Sequence, residues 1–256
     1  MIPFKVLFMS NLKRRLKDGF AVGYNMIFPL FMIWLMGLLF KEIYQKEIIT
    51  SYQYYGVVTV PFCILLSVIT AAYAGKDDAY ANTADRILVA PVSDAAIVCS
   101  KIFSEVIVFA GCSFVVLILS FLFWNVCSIH DIGEILICYL AVSFVTACLG
   151  TFIGLGMKDF MKLKNILNIP ILIFAIMGGC FYSFGTYNKL LLFLLDLSPL
   201  RWVNKGLFMM IYDDNYALLH VFNLVMVVVG FIFMLLSMIF FRREEYGNGK
   251  LPDYEK

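Results

Sequence analysis

Long apolar runs, separated by short polar connections, dominate the chain. About 20 apolar residues are enough to cross the hydrocarbon core of a bilayer as a helix. Helices are expected because lipid offers no hydrogen-bond partner to an unpaired backbone group. Six stretches have or approach this length: Ala21–Phe40, Gly56–Gly75, Ile102–Trp124, Glu134–Met157, the short Ile166–Tyr182 with Pro170 inside it, and Tyr216–Phe241. The pattern predicts an all-α integral membrane protein, a single domain over residues 1–256 with six transmembrane helices.

The longest polar interruption near the middle of the chain is residues 76–101, between the second and third predicted spans. Inside it, the sequence of Ala84–Ala90 is typical of a short amphipathic helix. Pro91 ends that helix, because proline cannot continue a helix and also restricts the residue before it. A helix this short is not stable alone in water. The segment therefore needs a partner surface.

The first 20 residues predict an amphipathic helix. Its apolar positions recur every three or four residues and share one face: Phe4, Leu7, Phe8, Leu12 and Leu16. Its basic residues lie elsewhere: Lys5, Lys13, Arg14 and Lys17. Such a helix lies in the membrane interface with its basic side chains near anionic headgroups. An ordinary solvated helix is the alternative.

The connection over residues 183–215 is mostly apolar, although it lies outside the predicted spans. Leu190–Leu197 is too short to cross the membrane, Ser198-Pro199 interrupts it, and Leu200–Ile211 continues as a second short helix. This pattern predicts a re-entrant helical hairpin that dips into the outer leaflet, with Arg201 and Lys205 at its wet end. A plain surface loop is the alternative.

The distribution of Lys and Arg predicts the orientation, since cytoplasmic connections carry an excess of them. One side carries only five: Lys41, Lys46, Lys189, Arg201 and Lys205. The other 15 of the 20 Lys and Arg residues lie on the side of residues 76–101 and of both termini. We therefore expect both termini in the cytoplasm, with a short, polar and flexible tail over residues 242–256.

Composition supports lipid as the solvent. The chain is 62% hydrophobic and 15% charged, against roughly 45–50% and about 25% in soluble domains. The net charge of +2 gives no sign of a nucleic-acid partner. Seven cysteines without a C-x-x-C pair are expected to be core residues rather than metal ligands or disulfides. The low charge and the Ile and Lys content indicate a bacterial plasma membrane.

Sequence motifs for catalysis are missing. The chain has no H-E-x-x-H, no G-x-S-x-G and no G-x-x-x-x-G-K-[ST] sequence, so neither catalytic residues nor a nucleotide phosphate cradle are predicted. We expect no cofactor or metal on this chain. Any work driven by ATP and magnesium would use a second polypeptide.

Glu105 is the one acidic residue within the third predicted span. A charge in a membrane helix is a candidate functional group. The favoured interpretation is that Glu105 lies near the interface and pairs with Lys101 at the i, i+4 spacing.

Gly150 and Gly154 form a G-x-x-x-G pattern that favours close helix packing inside the bundle over a dimer seam.

The stretch Thr83–Ser93, followed by Ile97 and Lys101, resembles the permease subunits of type-2 ATP-binding-cassette exporters. In that family a glycine-threonine-x-glutamate-arginine-leucine-leucine-x-x-proline pattern follows the second helix, and a lysine opens the third. Here Asn82 stands for the glycine and Asp85 for the glutamate. The resemblance extends to the N-terminal helix, the six spans and the outer hairpin, whose family-like stretch is Ser198-Pro199-Leu200-Arg201-Trp202.

The resemblance implies a homodimer or heterodimer of permeases above two ATPase subunits. Residues 84–90 would dock in a groove of the ATPase, with Asp85 and Arg86 as polar contacts, Ile87 and Leu88 as apolar anchors, and Pro91 as the stop. Arg14 and Lys17 would add a second contact.

The expected function is the export of a hydrophobic or amphipathic substrate, a peptide, drug or lipid-like molecule, powered by the partner's ATP hydrolysis. Three alternatives stay open. An ATP-coupled sensor or assembly subunit would share the fold. A secondary transporter usually carries ionisable residues near the midplane, and few occur here. An intramembrane enzyme would depend on Glu105 or Glu244.

Overall fold

The computed structural model describes residues 2–46, 49–81, 83–156, 160–182, 189–241, 243 and 246. In these residues all regular structure is helical, as predicted. The helices are α1 Ile2–Lys17, α2 Gly19–Leu39, α3 Ser51–Leu66, α4 Val68–Tyr80, α5 Ala84–Val89, α6 Asp94–Trp124, α7 Ile132–Gly156, α8 Phe160–Met177, α9 Lys189–Leu195, α10 Pro199–Asp213 and α11 Ala217–Ile239. Short 3-10 turns, Ile43–Lys46 and Ile129–Asp131, lie before α3 and α7.

Five helical stretches of the described chain are long and apolar enough to cross a membrane: Gly19–Leu39, Ser51–Asp78, Asp94–Trp124, Ile129–Gly156 and Ala217–Ile239. Each corresponds to a predicted span. The sixth prediction, Ile166–Tyr182, is not confirmed as a span, because the apolar stretch found there among the described residues is Leu167–Met177. Gly178 and Gly179 follow directly, and Gly179 has a φ of +77° that no helix continues.

The α3–α4 stretch and α7 form the centre of the bundle, since most of their residues are buried. Helix α7 packs against α4, α6 and α11. In contrast, only 22% of the residues in the apolar parts of α2 and α11 are buried, and large side chains such as Phe31, Trp34 and Leu224 are exposed. In a membrane protein, apolar side chains on a peripheral helix face lipid rather than water.

Helices α4 and α7 meet at glycines. A Cβ atom at Gly154 would overlap the carbonyl oxygen of Ala72 and would lie 3.1 Å from the Cα of Gly75. A Cβ at Gly150 would lie 2.7 Å from the carbonyl oxygen of Val68. The two backbones approach this closely only because both positions lack a side chain. The G-x-x-x-G pattern is thus used for internal packing, as predicted.

Side chains satisfy the backbone where α8 ends inside the bundle. Tyr54 and Tyr55 of α3 donate hydroxyl hydrogen bonds to the carbonyl oxygens of Gly179 and Phe181, at 2.7 and 2.9 Å. Asn204 of α10 donates to the carbonyl oxygen of Gly178 at 2.8 Å. Non-helical backbone in an apolar bundle needs such partners. These bonds therefore hold the end of α8 between α3 and α10.

Two short helices, α9 and α10, occupy the predicted hairpin, and the chain turns between them at residues 196–198. Pro199 is the first residue of α10. Arg201 pairs with Asp196 at 2.8 Å, and the Trp202 indole donates to the Asp196 carbonyl at 2.7 Å, while Lys205 is exposed. Residues 183–188 lie outside the described chain, and insertion into the outer leaflet stays a prediction.

The glycine contact gives the first test. We expect Gly154→Val to destabilise the protein by about 1–3 kcal/mol, because the new side chain meets fixed backbone atoms of α4. Gly111→Val in α6 is the matched control, since nothing lies within 4 Å of a Cβ there. Thermal unfolding in detergent, followed by size-exclusion chromatography, compares the variants, and equal midpoints would contradict the packing.

Candidate functional site

Several segments meet at one end of the bundle. They are α1, the end of α4, α5, the start of α6, and residues 243 and 246. Helix α4 continues to Tyr80, and α6 begins at Asp94, where the Ser93 hydroxyl caps it by accepting from the Ala96 amide at 3.3 Å. The polar connection is therefore shorter than the expected residues 76–101. Lys101, which the resemblance places at the start of the third helix, lies about two turns inside α6.

Helix α5 confirms the predicted short helix. It ends at Val89, and Ala90 is extended with φ −70° and ψ 149° before Pro91, as the residue preceding a proline prefers. Asp85 and Arg86 are exposed. Ile87 and Leu88, expected to anchor a partner, are half-buried against the apolar cluster of this chain. The most exposed apolar side chain of α5 is Val89, at 88%.

The carboxylate of Asp78, near the end of α4, is the centre of a buried charged cluster. One oxygen, Oδ1, accepts from Arg14 Nη1 at 2.7 Å. The other, Oδ2, lies 2.6 Å from Lys101 Nζ and accepts from the Tyr246 hydroxyl at 2.6 Å. Lys101 also donates to the carbonyl oxygen of Ala74 at 2.8 Å. Asp78 thereby connects α1, α4, α6 and the segment after α11.

A second buried pair, Arg15 with Glu105, lies beside it. Arg15 Nε contacts Glu105 Oε1, and Arg15 Nη2 is 3.3 Å from Oε2. The same guanidinium donates to Asp18 at 2.9 Å and to the Thr70 carbonyl at 2.8 Å. Both members of the pair are almost completely buried, at 4% and 1% exposure.

The predicted pairing of Glu105 with Lys101 is therefore wrong. Helix α1 packs along α6 and presents Arg15 to Glu105, which it contacts through an ion pair and one hydrogen bond. Lys101 instead neutralises Asp78. The local i, i+4 spacing is available, but the tertiary partner of each group is better placed.

Glu105 lies near one boundary of the apolar part of α6. It is 11 residues after the helix begins, about 16 Å along the axis. The 19 residues from there to Trp124 extend for about 28 Å, close to the thickness of a hydrocarbon core. The charged cluster thus belongs to one end of the bundle and not to its middle.

Electrostatics favour the charged form of Arg15 and the protonated, neutral form of Tyr246. Burial opposes the charge on Arg15, but the carboxylates of Glu105 and Asp77 outweigh this effect and raise its pKa. Burial and the neighbouring charge of Asp78 raise the pKa of Tyr246, so its hydroxyl stays protonated and keeps donating. The gap between Asn11, Arg15, Asp77 and Glu105 is about 10 Å³, room for roughly one water. The described residues contain no metal-binding group of His, Cys, Asp or Glu.

The predicted site residues separate into two groups. Arg14 joins the cluster, and Lys17 is exposed at the end of α1. Pro199, Arg201, Trp202 and Lys205 lie at the opposite end of the bundle. Asn82 and Glu244 lie outside the described residues.

Sequence reasoning missed Arg15, Asp77, Asp78 and Tyr246 as members of the site. Part of the signal is present along α1, where Asn11 and Arg15 lie four residues apart and Asp18 follows directly after the helix. This polar stripe runs beside a similar one in α6, where the Ser100 hydroxyl accepts from Asn11 at 3.1 Å. The tail carries no such signal.

A family model described as ABC-2 type transporter matches residues 3–212 of the chain. The matched region runs from α1 to the last turn of α10 and contains α5 together with Asp78, Lys101 and Glu105. Helix α11 and Tyr246 lie beyond it. No curated protein matches the chain.

The cluster gives the second test. We expect Asp78→Asn to destabilise the protein by about 3–5 kcal/mol, because it leaves the buried Lys101 without its counter-charge. The control is Asp85→Asn, the same chemical change at an exposed position nearby, which should alter stability by no more than about 0.5 kcal/mol. Thermal unfolding in one detergent measures both variants. Similar losses of stability in the two would refute a central role of Asp78 in the charged cluster.

Proposed function

Because the chain belongs to the ABC-2 type transporter family, we propose that it is the membrane-spanning subunit of an exporter powered by a separate ATPase. A multi-pass membrane protein is what the family and the five long apolar helices require. The sequence contains no phosphate-binding loop, so ATP and magnesium would bind the partner.

The observation that carries this proposal is the exposed face of α5. Asp85, Arg86 and Val89 all point away from the bundle, and they combine two opposite charges with one large apolar contact. Such a face, lying outside the membrane, fits a shallow groove on a soluble protein. In that groove the apolar side chain is buried and the charges fix the register. Lys17 at the end of α1 would extend the contact.

The cluster behind α5 supplies the rigidity that coupling needs. Helix α4 leads into α5 and α6 leads out of it, and Asp78 and Lys101 tie these two helices together. Arg14 is 37% exposed while it binds Asp78, so its side chain lies between the protein surface and the buried charged cluster. Pressure on α5 would therefore move the ends of α4 and α6 together, as a switch between two packed arrangements requires.

The substrate is proposed to be hydrophobic or amphipathic, a peptide, drug or lipid-like molecule. The exposed face of α8 is apolar, with Ile169, Leu172, Ile173 and Ile176 at helical spacing. In a homodimer or heterodimer of permeases this face would line a space between subunits. The location would be a bacterial plasma membrane, with both termini in the cytoplasm.

Docking is tested by reversing the contact face. We expect Arg86→Glu combined with Val89→Asp to abolish co-purification of the ATPase, because the substitutions replace an attractive charge and bury a new carboxylate. The matched control is Lys205→Glu with Ile129→Asp at the opposite end, where both side chains are exposed. Retention of the ATPase by the first variant would count against the proposal. Vesicles containing both subunits should then move substrate only with ATP.

Orientation is tested by trypsin on vesicles that contain the permease alone. Cleavage after the exposed Arg86 should occur in inverted vesicles and not in right-side-out ones, because α5 faces the cytoplasm in this proposal. Arg86→Gln identifies the fragment by removing the site. Cleavage only in right-side-out vesicles would place α5 outside the cell and reject an ATPase partner there.

A further inference from the structure

The segment after α11 makes two contacts that lie on either side of α5 along the chain. The Tyr246 hydroxyl donates to Asp78 Oδ2 at 2.6 Å, and Asp78 precedes α5 by six residues. Arg243 Nε contacts Asp94 Oδ1 at 2.6 Å, and its Nη2 donates to the Val92 carbonyl at 3.1 Å. Val92 lies three residues after the end of α5, and Asp94 is the first residue of α6. The two anchors therefore bracket the helix.

Tyr246 is a buried side chain rather than a surface one. It is 3% exposed, its ring lies 5.4 Å from that of Phe241, and the Lys101 ammonium lies 5.7 Å from the ring centre. An ammonium over an aromatic face is attractive. This corrects the expectation of a flexible tail for residues 243 and 246.

Phe241 and Tyr246 form part of the apolar surface that α5 packs against. Phe241 and Tyr246 belong to one apolar cluster with the fully buried Ala84, and Ile87 and Leu88 pack against that cluster. Helix α5 has only six residues, far fewer than a helix needs for stability by itself. Its position is therefore set by what lies behind it.

From these contacts we propose that Arg243 and Tyr246 form a C-terminal clamp, a pair of positioning residues that holds α5 against the bundle for its partner. Both residues lie beyond the region that matches the family model. The clamp itself is a property of this chain, and only its importance for coupling rests on the proposed function.

The clamp is tested by trypsin cleavage after Arg86, using the full chain in nanodiscs without any ATPase. Cleavage in a helix requires local opening, and its rate follows the open population. We expect Tyr246→Phe to accelerate cleavage by about ten- to a hundredfold, as for the loss of one hydrogen bond to a charged group. Tyr246→Phe with Arg243→Gln should accelerate it further.

Tyr212→Phe is the control, since it removes a tyrosine hydroxyl at the opposite end of the bundle. Cleavage after Lys41, in the exposed turn that follows α2, reports the rest of the fold and should not change in any variant. An unchanged rate after Arg86 in the double variant would overturn the clamp, and so would an equal acceleration after Lys41.

ATPase co-purification separates the two proposals. The double variant should retain several-fold less ATPase than the wild type, and full retention together with rapid cleavage would show that α5 positioning does not matter for docking and would overturn this role of the clamp. If the wild type binds no ATPase, the proposed function fails, while the cleavage rates still decide whether the clamp exists.

Discussion

The structure of the candidate site depends on keeping the buried carboxylate of Asp78 compensated. A charge out of water is tolerated only with counter-charges and hydrogen bonds, and Asp78 receives them from Arg14, Lys101 and Tyr246. Each donor comes from a different part of the chain. The end of α4 therefore cannot shift alone, since any displacement leaves a buried charge without a partner. This requirement acts together with apolar burial to fix the relative positions of the elements around α5.

The same constraint continues from the cluster into the bundle through α4. On one side, α4 carries Asp78; on the other, its backbone meets α7 at Gly75 and Gly154 without intervening side chains. Only Ser67 lies between α3 and α4, and its hydroxyl bonds to Asn25 of α2 and to the Cys63 carbonyl. Helix α4 is thus a short element that contacts the charged cluster at one end and the central helix α7 along its length. In the proposed function, a force applied at α5 would reach α7 through these contacts.

Local patterns in the sequence predict much of this arrangement. The apolar runs locate five spans, and the Ala84–Pro91 pattern locates α5 and its end, because both depend on neighbouring residues. The ends of α4 and α6 are missed, since they continue as polar helices beyond the apolar stretches that mark the membrane. The partner of Glu105 is missed because Arg15 arrives from α1, 90 residues away in the chain. Tyr246 is missed for the same reason, since it meets Asp78 across 168 residues and its surrounding sequence has no periodicity that reports the contact.

The location of the charges also bears on how energy enters the protein. Arg15 pairs with Glu105 and Lys101 with Asp78, so these buried ions neutralise one another at one end of the bundle. A carrier driven by an ion gradient needs an ionisable group that exchanges its ion near the midplane, and groups held in stable pairs at the boundary do not provide that. A charged cluster that holds α4 and α6 together beneath an exposed helix would instead pass a movement of α5 on to both helices. This arrangement agrees with the proposal that a partner acts on α5 from outside the membrane.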